Sequence, residues 1–206
     1  MSFLKSIICI LLLLSPLQAN AESHDTFAAQ QKFTEAIKHV QDKKYLKAFG
    51  IFSELSNEGF PEAQFNLSLL YFSGLGSPKN FKLSLYWAWM AHLNLHESAF
   101  DRVNASFDQI NEALRNEVAQ QITEELTILA NGGDTHAPLK LGKTYLGLFL
   151  EPNYELAYIW LSIAQAYGDD KAPDYLDEAA NNLQVDTILA QQEEAQKIFQ
   201  NITSND

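Results

Sequence analysis

Two stretches of this chain are versions of one pattern. Placing Ala63 over Ala137 aligns AQFNLSLLYFSGLGSPKNFKLSLYWAWMA with APLKLGKTYLGLFLEPNYELAYIWLSIA after one deletion. Leu67 then meets Leu141, Ser68 meets Gly142, Tyr71 meets Tyr145, Asn80 meets Asn153, Trp87 meets Trp160 and Ala91 meets Ala164. Such a repeat limits the fold severely, because each unit must bury its apolar face on the next. The likeness runs on: FDRVNASFDQI from Phe100 sits over PDYLDEAANNL from Pro173, and the AQQ at Ala119 matches that at Ala190. The economical reading is an internal duplication of roughly 70 residues, each unit a helix pair plus two further helices.

Apolar residues recur at helical spacing throughout, and no stretch reads as strand, turn, strand. The run NLSLLYFSGLGSPKNFKLSLYW shows how one helix gives way to the next. Gly74 and Gly76 permit positive φ, ending a helix in a left-handed cap; Pro78 forbids its continuation, and Asn80 can cap the following helix. The product is an antiparallel hairpin, in which the small Ser68, or Gly142 in the later copy, allows close approach. Tyr71, Trp87, Tyr145 and Trp160 are expected to fill the space between layers as core rather than as an aromatic cage for a ligand. Upstream, Phe33, Ile37 and Val40 mark one helix and Leu46, Phe49 and Phe52 another, with Asp42 as an N-cap between them. The expectation is an all-α chain of about ten helices joined by short turns.

The residues Ala63, Gln64, Leu67, Ser68, Tyr71, Gly74, Leu75, Gly76, Asn80, Trp87 and Ala91 resemble the Sel-one-like repeat family, a branch of the tetratricopeptide superfamily. Ala137, Leu141, Gly142, Tyr145, Gly147, Asn153, Ala157, Trp160, Ala164 and Gly168 resemble a second member, with Phe149 in place of the second glycine. Both copies carry Asn where the family usually has an acidic cap. The resemblance implies a right-handed α-solenoid whose curved inner surface binds other proteins, as in adaptors of bacterial envelopes. One secreted branch of the family is rich in cysteine, and this chain is not of that branch.

The N-terminus reads as a leader. Lys5 precedes the apolar run Ile7 to Leu14, then SPLQ and the small-residue site Ala19-Asn20-Ala21. Cleavage after Ala21 would leave residues 22–206 as one helical-repeat domain in the periplasm or outside the cell. Its expected parts are a degenerate repeat over 27–58, a Sel-one-like repeat over 63–97, two extra helices over 98–132, a second Sel-one-like repeat over 137–170 and C-terminal helices over 172–202. The apolar run is too short for a membrane anchor. Cys9, the one cysteine, lacks a lipid-attachment box and would leave with the leader, so packing alone must stabilise the remainder.

The formal net charge is −12 with only two arginines, Arg102 and Arg115, and no basic run. That excludes the footprint of a nucleic-acid or anionic-membrane binder and favours protein partners with neutral or basic segments. If the first helix of each pair lines the inner face, its non-core positions are the candidate contacts: Gln30 and Thr34, then Asn66, Leu69 and Phe72, then Lys140, Lys143 and Thr144. Leu69 and Phe72 could instead pack on the neighbouring repeat. His92 and His96 are four apart, but without a third ligand a metal site is not expected. No cofactor motif, nucleophile elbow, H-E-x-x-H or phosphate loop is present, so the reading is a scaffold rather than an enzyme. The alternatives are a cell-wall or polysaccharide enzyme built on acidic residues such as Glu124, Glu125, Glu193 and Glu194, and a weak histidine-based metal binder.

Overall fold

The computed structural model describes the backbone of residues 16–204 and the side chains of residues 27–204. Residues 1–15, which hold most of the expected leader and Cys9, lie outside the described residues. Ten helices and no strand make up the described part: α1 (Pro16–Gln41), α2 (Tyr45–Asn57), α3 (Pro61–Ser73), α4 (Phe81–Leu93), α5 (Ala99–Phe107), α6 (Glu112–Asn131), α7 (Ala137–Gly147), α8 (Tyr154–Ala166), α9 (Ala172–Ala180) and α10 (Val185–Thr203). This is a helical-repeat solenoid. The duplication is visible in the packing. In each four-helix unit one central helix, α4 or α8, rests on the helix before it and on the two that follow.

One turn, used four times, sets the spacing of the pairs. Gly59, Leu95, Gly133 and Gly168 have φ of 84°, 69°, 88° and 87°. Each donates its N–H to the carbonyl three residues back, and the next residue donates to the carbonyl five residues before itself, at 2.9–3.1 Å. These are Schellman caps, which satisfy the last carbonyls of a helix only when one residue turns left-handed. Four residues beyond each left-handed residue stands an alanine, Ala63, Ala99, Ala137 or Ala172, none more than 1% exposed. The incoming helix can therefore press its first turn against the core.

Within a hairpin the glycines do separate work. Gly74, at φ 71° and ψ 38°, caps α3 and donates to the Leu70 carbonyl at 2.9 Å. A Cβ on Gly76 would stand 2.5 Å from the Tyr45 carbonyl oxygen, so the second glycine also lets the turn dock on α2. Asn80 closes the loop by donating its N–H to Tyr71 and accepting from the Leu83 N–H through its side chain at 3.0 Å. Asn153 repeats both bonds, to Tyr145 and from Leu156. Between them the small residues behave as expected: a Cβ on Gly142 would fall on Leu161 Cγ, and Ser84 Oγ donates to the Ser68 carbonyl at 2.9 Å.

The second hairpin lacks the second glycine and is held from outside. Arg115 of α6 donates to the carbonyls of Gly147, Leu148 and Phe149 at 3.2, 2.7 and 3.0 Å. Asn116 Oδ1 accepts from the Leu150 N–H at 3.0 Å. The guanidinium also stacks on Phe107, 3.9 Å from the ring centroid. One planar fork thus gathers three carbonyls that a left-handed residue would otherwise reorient.

Three expectations need correction. Asp42 does not cap α2: Lys43 takes φ 58°, which carries the turn two residues further, so the N-cap position falls to Lys44 and the Asp42 carboxylate accepts from Lys44 Nζ at 2.9 Å. Leu46 is 75% exposed, because a helix beginning at Tyr45 buries Ala48, Phe52 and Leu55 along its i, i+4, i+7 line instead. The fully buried indole of the first copy is Trp89; Trp87 and Tyr71 are half-buried members of the N-terminal core, whereas Trp160 is buried.

Arg115→Ala should lower the unfolding free energy by about 1–3 kcal/mol, the usual cost of removing a charged donor from carbonyls that remain shielded. Arg115→Lys should recover less than half of that, because an ammonium cannot serve three carbonyls in one plane. Thermal and urea unfolding of the two variants beside wild type measures both.

Candidate interaction site

The structure sorts the expected contact residues into three groups. On α1, Gln30 and Thr34 are exposed, and the Thr34 hydroxyl donates back to the Gln30 carbonyl at 2.8 Å. On α3, Asn66 is half-buried and donates to the Glu62 carbonyl at 2.8 Å. Leu69 and Phe72 are half-buried as well; Phe81 meets Phe72 edge-on at 5.3 Å and the Arg102 guanidinium of α5 lies 3.7 Å from its ring centroid. For Phe72 the contact with the following helices is therefore the main one. The third group, on α7, lies deepest.

Thr144 is fully buried and has no surface to offer a partner. Its Oγ1 accepts from the Trp89 indole N–H at 3.0 Å and donates to the Lys140 carbonyl at 2.7 Å. A buried indole N–H needs an acceptor, and Thr144 supplies it, tying α4 to α7. Removing Thr144 from the contact face is a correction to the sequence reading. Lys140 stays half-exposed, beside a groove of about 450 Å³ among the inter-pair turns. The Asp134 and Asp169 carboxylates in that groove are occupied by the turns, accepting from the His136 and Lys171 N–H groups at 2.8 and 2.9 Å.

Lys143 is only 7% exposed and points into a cavity of about 370 Å³ bounded by α4, α5, α7 and α9. Trp89, His92, Phe100 and Tyr175 form aromatic walls, and Glu178 lines the same space. The Lys143 ammonium lies 5.4 Å from the Tyr175 ring centroid. Burial lowers its pKa, the charge of Lys171 lowers it further, Asp169 acts against this, and Lys140 adds to the lowering. Lys140 is shifted down by burial too, with Asp134 opposing. His92 sits between Trp89, 5.1 Å away, and Phe100, 5.3 Å away. Desolvation, with the nearby Lys143 charge second, brings its pKa down to about 4, so the ring is neutral near pH 7.

The other histidine goes elsewhere. Leu95, with φ 69°, ends the α4 segment as Gly168 ends α8, and His96 stacks on Phe65 at 4.2 Å with the planes 12° apart. The two imidazoles thus have different neighbours. Among the described residues no three His, Cys, Asp or Glu side chains gather in a way that could hold a metal ion. Trp89, Phe100, Tyr175 and Glu178 escaped the sequence reading. Tyr175 had a signal, since the alignment of Phe100 with Pro173 puts it at the repeat position of Arg102.

The Sel1 repeat family matches residues 61–88 and 137–164, which are the α3–α4 and α7–α8 hairpins. The chain carries two Sel1 repeats. Among solved structures, the chain is similar to a protective antigen present in uropathogenic Escherichia coli strains and displaying an SLR fold, at 18% identity and a TM-score of 0.30, over 89% of this chain and 47% of that one. It is also similar to a Sel1 repeat protein from Oxalobacter formigenes, at 19% identity and a TM-score of 0.26, over 74% of this chain and 79% of that one. The chain spans about half the length of the first of these. No curated protein matches it. Sel1-repeat proteins generally act as scaffolds for protein interaction and are typically not catalytic.

Neutral, partly buried His92 makes stability depend on pH in a defined direction. An ordinary histidine in the unfolded chain binds a proton below about pH 6.5, whereas folded His92 resists it until about pH 4. Stability should therefore be lost as pH falls through that window, by about 1–2 kcal/mol once partial solvation of the ring is allowed for. His92→Gln, the residue at the matching position 165, should flatten the dependence. Urea unfolding at pH 7 and pH 4.5 for both proteins checks it.

Proposed function

We propose that this Sel1-repeat protein is an exported, non-catalytic scaffold of the cell envelope that holds a segment of another protein on the face formed by its first helices, α3, α5, α7 and α9. The observation that carries the reading is the aromatic-walled cavity on that face, which the scaffold does not fill itself. Leu69 on α3 and Lys140 on α7 extend the surface to either side. The helices are fixed by Schellman turns and buried alanines, so the surface is preorganised and a bound segment costs little ordering on the scaffold's side. Export is inferred from the leader pattern ending at Ala21, and among the described residues no helix is long and apolar enough to cross a membrane.

The strongly acidic composition acts at a distance, favouring neutral or basic partners during encounter. Packing on the face then decides which segment stays.

Two measurements test this. Processed protein recovered from a bacterial host should begin at Glu22 by intact mass; a chain retaining residues 1–21 would overturn the export reading. In pull-downs from an envelope extract, Leu69→Asp and Lys140→Glu, both at half-exposed positions, should lose partners that wild type retains. Identical protein profiles for all three would overturn the assignment of the face.

A further inference from the structure

We propose that the cavity between α4, α5, α7 and α9 seats one carboxylate side chain, Asp or Glu, carried beside a bulky apolar side chain on the partner's segment. This deepens the scaffold reading and rests on it. The lysines that form ion pairs among the described residues are Lys32, Lys44, Lys82 and Lys197, all with Asp or Glu. Lys143 is more than nine-tenths buried as a residue and forms none; its ammonium is not among the buried unbonded side-chain atoms and meets solvent at the cavity. Its ammonium faces the Tyr175 ring, and the Asp169 carboxylate acts on it from beyond ion-pairing distance. A ring quadrupole compensates a partly desolvated ammonium only in part, and a hydrogen-bonded counter-anion in the cavity would add to the compensation.

The surroundings select the anion. Glu178 lines the cavity beyond ion-pairing distance and, with the net charge of −12, opposes a polyanion such as a nucleic acid. A single carboxylate meets the Glu178 repulsion once and the Lys143 attraction at contact, a smaller barrier than a polyanion faces, while exposed charges beyond about 8 Å are screened at physiological salt. His92 is neutral near pH 7 and does not compete for the anion. A volume of about 370 Å³ exceeds what a carboxylate needs, and the Trp89, Phe100 and Tyr175 walls suit an adjoining apolar side chain. Thr144 holds Trp89 at one side of the cavity through the indole N–H, so the wall is fixed before anything binds.

The test is an NMR titration of the processed protein, following the Trp89 indole N–H and the His92 ring, with three peptides in a Gly-Ser background. The first is acetylated and amidated and carries Glu beside Phe; the second replaces that Glu with Gln; the third has Phe at a free C-terminal carboxylate. The Glu peptide should shift both reporters, and the Gln twin should bind at least about tenfold more weakly, as expected when a charge-assisted bond is lost. Lys143→Met should abolish that preference while the folded spectrum persists. Equal binding of the Glu and Gln peptides by wild type would overturn the proposal without reference to any variant, as would a preference that survives Lys143→Met. Tighter binding of the third peptide would move the source to a chain terminus and overturn the side-chain assignment. Shifts at Asn66 and Leu69 alone would overturn the cavity while leaving the face as an interaction surface. No shift with any peptide would overturn the cavity, and the Leu69→Asp pull-down would still judge the face.

Discussion

The fold depends on a backbone constraint repeated four times: one left-handed residue, and four positions later an alanine buried at the start of the next helix. The left-handed residue closes the Schellman cap, and the alanine sets how near the next helix can come. Together they determine where the first helix of each pair begins. The face follows from this. Position three of each first helix, counted from the alanine, holds Asn66, Arg102, Lys140 and Tyr175, and position six holds Leu69, Ala105, Lys143 and Glu178. The turn tolerates loss of its glycine once. Leu95 occupies the left-handed position while 60% exposed, so no packing of its side chain offsets the strain, and the neighbouring cap bonds at 2.9 and 3.1 Å hold it there.

The architecture was legible because it is written in residue types that have few other uses. Gly74, Gly76, Asn80, Ser68, Gly142 and the alanines each answer a demand of backbone geometry or close approach, and the structure uses each for that purpose. Faces of helices were less legible. Helix α4 packs against α3, α5 and α6, so apolar residues surround it and periodicity cannot say that Trp89, two positions from Trp87, is the deeper indole. Thr144 carries the polarity of a surface residue; it is buried because Trp89, distant in sequence, needs an acceptor. Arg115 is similar. Nothing local to it announces a partner, and its role arises only because the turn at Phe149 lost a glycine more than thirty residues later.

The overall charge and the local site have opposite signs, and distance reconciles them. Carboxylates spread along the chain give the molecule its acidic field, which governs encounter. Lys143 is mostly buried along its stem and acts at contact range, where partial desolvation makes a single charge matter more than many screened ones. A partner segment of mixed character, basic in sum with one acid placed to reach the cavity, satisfies both.

The two copies also differ in a way that locates the site. Successive first helices are joined by a cation resting on an aromatic ring in both halves, but the roles are exchanged. In the first, Arg102 of α5 covers Phe72 of α3 at 3.7 Å; in the second, Tyr175 of α9, at Arg102's repeat position, faces the Lys143 ammonium of α7 at 5.4 Å. The Arg102 guanidinium stands close over the Phe72 ring and occupies the space above it. A compact ammonium set farther from a tyrosine leaves room beside it, and Trp89 and His92 on α4 wall that room. Duplication supplied two equivalent junctions; in one the Arg102 guanidinium rests on Phe72 with Nε and Nη2 buried and unbonded, and in the other the Lys143 ammonium opens on the cavity.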